Sequence, residues 1–221
     1  MNFPPTQIFN FFDQPEEVLG IAESMTYSKP YGSYPGKRTE ELHVSQQHLF
    51  DYVGLKCMSV FYSKQELDTI SWTASAQFQK ITYEDVVDGR TAWVHKDESA
   101  HFTSIIYLTR DMIENGTSIF LPKQKGYKIS QDLADIRDRF YMQGDLSNAD
   151  EYKNAAHKHN SSYQRAAYFE SMFNSCILFD GSYPHKAEFN IKEGETRLTL
   201  VTFFFDIRAV RFPLSGVRKV L

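Results

Sequence analysis

The sequence predicts a mainly β fold with supporting helices. Three observations carry that prediction: strand-like runs recur at 72–83, 104–109, 117–121, 173–180 and 196–205; helix-start signals crowd the first 71 residues; and the strand rhythm breaks at 122–170, where apolar spacing turns helical. At 221 residues the chain is long enough for one domain with a full core. The expected organisation is N-terminal helical support over 1–71, a β core over 72–206 with a helical insert at 122–170, and a tail over 207–221.

Composition excludes several classes. A hydrophobic fraction of 42% with 15% aromatic residues belongs to a folded protein, and a net charge of -4 argues against a general nucleic-acid binder, which needs a basic surface. Cys57 and Cys176 both lie in apolar surroundings and are expected as buried free thiols in a reducing compartment. The start, Met1-Asn2-Phe3-Pro4-Pro5-Thr6, lacks a basic region followed by an apolar stretch, and no run reaches membrane-spanning length. A cytoplasmic location away from membranes is expected.

In chain order, Ile8-Phe9-Asn10-Phe11-Phe12 suits pairing at a sheet edge or packing under the first helix. Asp13-Gln14-Pro15-Glu16 starts that helix with a capping Asp and a proline in the first turn, and Val18, Leu19, Ile21 and Ala22 give it a buried stripe to about Ser28. Residues 29–39 are rich in Pro, Gly and Tyr, which is loop chemistry. They form either a plain connector or a lid over a substrate mouth, with Tyr31, Tyr34 and Arg38 as contacts. Ser45 opens a second helix through Leu55, and Ser63-Lys64-Gln65-Glu66 is a capping box for a short third. His43 and His48 fall here as exposed or capping residues.

From Trp72 to Tyr83, alternation puts Gln77, Gln79 and Ile81 on one face and Phe78 and Lys80 on the other; such a polar row faces a pocket or solvent. Asp88-Gly89 signals a turn into the strand Trp93-Val94-His95-Lys96-Asp97. In an extended segment residues i and i+2 share a face, so His95 and Asp97 aim an imidazole and a carboxylate at one point. An isolated His-x-Asp is also what a surface turn presents, so later residues matter. His185 follows the apolar strand Phe173 to Asp180 and the Tyr183-Pro184 turn, and two histidines with one carboxylate and open positions suit non-haem iron. Arg197, twelve residues later, shares a strand face with Thr199. A buried arginine needs an anion, and a planar guanidinium suits a carboxylate held bidentately.

Together these residues resemble the 2-oxoglutarate and Fe(II)-dependent oxygenases, particularly the prolyl-4-hydroxylase-like branch. The shared pattern is HxD at His95 and Asp97, a tyrosine-bearing strand at Ser104 to Thr109, a turn and strand at Asn115-Gly116-Thr117-Ser118-Ile119-Phe120, the distal His185, and Arg197 with Thr199. Asn115 stands where a first glycine is common, Ser118 where a threonine is common, and Arg197 where the prolyl-4-hydroxylases themselves carry lysine. The resemblance implies a double-stranded β-helix, the cupin-like jelly roll. It also implies Fe(II) held by His95, Asp97 and His185, with 2-oxoglutarate held by Arg197 and Thr199. Tyr107 either lends its hydroxyl to the distal carboxylate of 2-oxoglutarate or is a core tyrosine bonded to backbone. The implied reaction consumes O2, is stimulated by ascorbate, releases succinate and CO2, and hydroxylates a peptidyl side chain such as proline or a small metabolite. The Asp of the triad argues against a halogenase, which needs a small residue there.

The competing expectations are a cupin-like metal-binding protein or isomerase, and a metal-free β-sandwich; both gain if Arg197 faces solvent. His101 is expected in a loop at the pocket rim, touching substrate. Ser130 to Gln143 and Asn148 to Phe169 are expected as helices, with Leu133, Ile136, Phe140 and Tyr141 apolar, and the resemblance places this insert beside the pocket mouth as a source of specificity. His157-Lys158-His159 reads as a solvated basic patch, because i and i+2 diverge on a helix. Glu193-Gly194-Glu195 makes a tight turn, and Arg208, Arg211, Arg218 and Lys219 give the tail a solvated basic end.

Overall fold

Phe78, Phe102, Ile106, Leu178, Leu200 and Phe204 are fully buried and belong to one apolar cluster, and the alternation of strands puts them all on one side of a sheet. The computed structural model describes residues 3–29, 34–86, 91–110, 112–143 and 148–216. Tyr31, the Asp88-Gly89 turn, Arg218 and Lys219 lie outside the described residues, as does the side chain of Tyr141. The elements are β1 (Thr6–Ile8), α1 (Pro15–Ser24), β2 (Lys37–Arg38), α2 (Leu42–Ser45), α3 (Gln47–Ser59), α4 (Lys64–Leu67), β3 (Ser71–Thr82), β4 (Phe102–Tyr107), β5 (Thr117–Pro122), α5 (Gln131–Gln143), α6 (Ala149–Asn160), β6 (Tyr163–Phe169), β7 (Cys176–Asp180), β8 (His185–Ala187) and β9 (Thr196–Arg208).

Six strands form an antiparallel sheet in the order β1-β7-β4-β9-β3-β2, and three form a second in the order β6-β5-β8. The outer face of the larger sheet packs on the N-terminal helices, through Val18 and Ala22 of α1 and Val53, Cys57 and Met58 of α3. Each fully buried phenylalanine there contributes about 2 kcal/mol relative to exposure. Cys57 and Cys176 are both buried and free in this core. The inner face meets the smaller sheet through Tyr107, Ile119, Ile177 and Phe179. The register of β9 against β3 and β4 sets Gln79, Thr199 and Tyr107 in one row, and Thr103 opposite Phe203. Arg197, Thr199, Val201 and Phe203 therefore share the inner face of β9.

Several local expectations need correction. Gln14, not Asp13, stands at the N-cap of α1, it makes no side-chain capping bond, and the helix ends at Ser24 instead of Ser28. The second helix is two: α2 begins before Ser45 and ends on it, and Gln46 (φ -142, ψ 54) breaks the helix before α3 runs to Ser59. The Ser63 capping box on α4 is present, with Ser63 N donating to Glu66 Oε2 at 2.8 Å. The insert is not helical throughout, because α6 stops at Asn160 and β6 follows, paired with β5 from Thr117↔Phe169 to Pro122↔Tyr163. Gln164, Arg165, Ala166 and Tyr168 of β6 are exposed, so no apolar alternation marked it as a strand. Residues 93–97 form no strand of their own beyond a single bridge at His95. The tail is only partly solvated: Ile207 is buried, Arg211 pairs with Glu66 at 2.7 Å, and Phe212 packs edge-on against Phe3.

Candidate metal centre

The two histidines meet because their backbones pair. His95 N donates to His185 O and His185 N donates to His95 O, both at 2.8 Å, the reciprocal arrangement that sets two side chains on the same face. The ring centroids lie 4.4 Å apart. Asp97, two residues on, falls on that face: its Oδ2 is 3.4 Å from His185 Nε2 and its Oδ1 3.9 Å from His95 Nε2. One ligand atom from each of the three lies within 4.8 Å of the others. Asp97 N donates to Gly181 O at 3.0 Å, and a Cβ on Gly181 would come within 2.2 Å of Ala100 O, so only glycine admits this approach.

Protonation suits a cation. Each imidazole has Nδ1 at 3.0 Å from the carbonyl two residues earlier, Trp93 O for His95 and Tyr183 O for His185. A carbonyl only accepts, so Nδ1 carries the proton and Nε2 of the neutral ring presents its lone pair toward the Asp97 side. Burial pushes His185 down to about 4, with His95 adding to that and Asp97 opposing it. Burial acts to raise the Asp97 carboxyl, but His185, His95 and the Thr103 hydroxyl, which donates to Oδ2 at 2.6 Å, outweigh it and hold it below its ordinary value. A neutral imidazole beside a carboxylate is the state that binds a divalent cation.

A pH dependence follows for the metal-free protein. His185 binds its proton more readily unfolded than folded, so stability is full above about pH 6.5 and declines as pH falls toward 4, by on the order of 3 kcal/mol. Asp97 adds loss of the same sign at lower pH. Denaturation midpoints measured between pH 7 and 4 should fall, and His185→Gln should flatten the curve; an unchanged slope in the variant would refute the assignment.

The other edge of the HxD segment is held by the insert. Asn160 at the end of α6 accepts from Val94 N at 2.9 Å and donates to Ala92 O at 2.8 Å, so one side-chain amide stands in for a neighbouring strand. His159 is 3% exposed, with Nε2 at 2.8 Å from Val94 O and Nδ1 at 3.2 Å from the Tyr127 hydroxyl. The expectation of a solvated patch is therefore wrong for His159 and holds for the exposed His157 and Lys158. Trp93 is sunk among Leu133, Phe140 and Tyr152 of the insert. Asn160→Ala strands two buried backbone groups, and we expect about 2–3 kcal/mol loss of stability together with weaker metal binding. Thermal unfolding and a Co(II) titration check both, and unaltered Co(II) affinity would contradict the positioning role.

One cavity of about 350 Å³ joins this cluster to Arg197, and Gln79, Ile105, Phe189, Val201 and Phe203 are among its walls. Arg197 is 3% exposed; its Nε donates to Asn115 O at 2.9 Å, and its Nη2 is buried without a partner, as is the Thr199 hydroxyl. Asn115 Oδ1 accepts from Asn190 N at 2.9 Å, which explains an asparagine in place of glycine. Tyr107 is buried with its ring 5.4 Å from the Arg197 guanidinium carbon, and its hydroxyl pairs with Thr117 Oγ1 at 2.8 Å, a side chain and not backbone. Of the two glutamines in question, Gln79 lines the cavity, while Gln77 donates to Thr39 O. His101 does not line it; the ring stacks on Phe212. Arg38 and Tyr34 do line it, from the segment that offered a lid or a connector.

The family model described as "Family of unknown function (DUF6445)" matches residues 4–204. The chain belongs to this family. No curated protein matches the DUF6445 chain in sequence. Solved structures do match in fold. A 2OG-Fe(II) oxygenase family oxidoreductase from Burkholderia pseudomallei is 9% identical with a TM-score of 0.51, over 91% of this chain and 84% of that one. HygX from Streptomyces hygroscopicus, solved with nickel and 2-oxoglutarate bound, is 11% identical with a TM-score of 0.56, over 92% and 83%. A prolyl hydroxylase from Trichoplax adhaerens, in complex with a hypoxia inducible factor peptide fragment, is 13% identical with a TM-score of 0.52, over 91% and 83%. The fold is thus the double-stranded β-helix of the 2-oxoglutarate–Fe(II) oxygenases, mainly β with helices. No helix among the described residues is long and apolar enough to cross a membrane.

Proposed function

We propose that the protein is an Fe(II)- and 2-oxoglutarate-dependent dioxygenase that hydroxylates a small metabolite or a peptidyl side chain, releasing succinate and CO2. The observation that carries this reading is Arg197, a buried guanidinium with an unpartnered Nη2 in the cavity that also holds the His95, Asp97 and His185 cluster. A cupin-like binder, or an isomerase that takes no keto acid, would have no use for that cation.

Bound Fe(II) would supply the O2 activation that couples decarboxylation of 2-oxoglutarate to oxidation of the prime substrate. The chain's part is positioning. His95 and His185 present Nε2, Asp97 presents Oδ1 while Thr103 holds Oδ2, and these three leave other coordination positions open. Arg197 and the Thr199 hydroxyl grip the distal carboxylate of the keto acid, with Tyr107 beside them. Ile105, Val201 and Phe203 exclude water from the space between. Ascorbate would serve to keep the iron reduced.

The test is succinate formation from 2-oxoglutarate with Fe(II) and ascorbate under air, comparing wild type with His95→Ala. Slow turnover that vanishes in the variant supports the reading. If no turnover is seen without a prime substrate, anaerobic titration of the Fe(II) protein with 2-oxoglutarate, followed by visible absorption, decides: no spectral change would overturn the proposal.

A further inference from the structure

The cavity has more positive charge than 2-oxoglutarate needs. Besides Arg197, its walls carry Arg38 from β2, Lys96 between the two HxD ligands, and Arg137 from α5, whereas Asp97 is the only acid among the described lining residues. The whole chain carries -4, so this local reversal is not inherited from composition. Arg137 has a partner in Asp138 at 2.9 Å.

Arg38 has none of that kind. Its Nε is buried without a hydrogen-bond partner, and no ion pair closes on it among the described residues. Glu41, three residues on, is engaged elsewhere: Oε1 accepts from Ser75 Oγ at 2.7 Å and Oε2 from Ala76 N at 3.0 Å. The guanidinium carbon sits 3.6 Å from the Tyr34 ring centroid and 5.5 Å from that of Phe203. Two aromatic rings thus fix a charged donor fork inside a cavity; Asp97 and Glu41 act on it at a distance without closing an ion pair, and an anion brought by a ligand would offset the remaining cost of desolvation.

Its position separates it from the keto-acid anchor. Phe203 lies six residues along β9 from Arg197, about 20 Å of strand, and pairs with Thr103, which holds Asp97. The Arg38 backbone pairs with Gln79, in the row of Thr199, but its guanidinium reaches along the floor to Phe203, so its charged end lies toward the metal ligands and Arg197 lies at the far end. A keto acid reaching from Arg197 to the metal leaves Arg38 free.

We propose that Arg38, clamped by Tyr34 and Phe203 and aided by Lys96 and Arg137, reads an oxyanion on the prime substrate, which is accordingly a small organic acid or phosphate ester. This rests on the oxygenase reading above. The cavity lies at the low end of small-molecule pockets, and shared with a keto acid it suits a metabolite better than a peptide.

The experiment uses the full chain with Ni(II) and saturating 2-oxoglutarate, titrated calorimetrically with inorganic phosphate, benzoate and the neutral isostere benzamide. At least one anion should bind saturably, benzamide should not, and Arg38→Gln should weaken the anion at least tenfold while 2-oxoglutarate affinity holds. The preferred anion sorts phosphate esters from carboxylic acids. Equal binding by wild type and Arg38→Gln, or no anion binding by wild type, overturns the proposal. So does weakening of 2-oxoglutarate in Arg38→Gln, which would place Arg38 in the cosubstrate site. An acidic hexapeptide binding tenfold tighter than both small anions overturns the small-molecule assignment. Should Arg38→Gln not fold, Arg38→Lys carries the comparison, with at least threefold weaker anion binding expected from losing the planar fork. If 2-oxoglutarate does not bind wild type, the oxygenase reading fails, and the same anion titration of the Ni(II) protein alone still reports on Arg38.

Discussion

Replacing Arg197 with alanine should raise the 2-oxoglutarate concentration for half-maximal succinate formation by about 100-fold. Loss of a desolvated, charge-assisted pair costs roughly 2–5 kcal/mol, and 100-fold corresponds to 2.7. The keto acid keeps its metal-side contacts, so turnover at saturation should fall far less than the half-saturation constant rises. Arg197→Lys keeps the charge but loses the fork, and about tenfold is expected. Stability separates this role from a structural one. In the ligand-free protein Nη2 is buried and unpaired, which destabilises, whereas Nε holds Asn115 O, which stabilises, so removing the side chain sets one effect against the other and should lower the melting temperature less than a core truncation. A half-saturation constant unmoved in Arg197→Ala would contradict the assignment.

Asp97→Ala should weaken divalent metal binding by more than about 100-fold and abolish turnover, because it removes the only anionic ligand from a site otherwise made of two neutral imidazoles. Thr103→Val is the graded companion. The Thr103 hydroxyl orients Asp97 through a 2.6 Å bond without approaching the metal position, and losses of about tenfold are typical for such a partner. Calorimetric Mn(II) titration reads both, and equal affinity for wild type and Asp97→Ala would remove the metal centre altogether.

Much of this was legible because strand geometry is local. His95 with Asp97, and Arg197 with Thr199, follow from a period of two, and the capping box at Ser63 and Glu66 is written within four residues. What was illegible depends on distant partners. His159 looked like one histidine of a surface pair, yet the groups that bury it, Val94 O and the Tyr127 hydroxyl, are 65 and 32 residues away. Asn160 carried no signal at all, since an asparagine at the end of a helix is ordinary until its amide is found bridging Ala92 and Val94. Strand β6 owes its existence to the backbone of β5 and not to its own apolar pattern. Arg38 was visible as a cation in a Pro- and Gly-rich segment, but its aromatic clamp needs Phe203, from the other end of the chain. His101 was misplaced because proximity in sequence to the HxD segment said nothing about Phe212.

The grip of Asn160 and His159 on residues 92–94 has a consequence for anyone who would re-engineer the insert. In many scaffolds a peripheral excursion can be exchanged to alter substrate preference while the reactive centre is left alone. Here α6 supplies hydrogen bonds to the segment that carries His95 and Asp97, so a transplanted insert lacking Asn160 would bring a new mouth and a loosened ligand set together. Natural diversification at this face faces the same coupling. Changes on the outward sides of α5 and α6 are open to drift, whereas the last turn of α6 is constrained by the chemistry it supports.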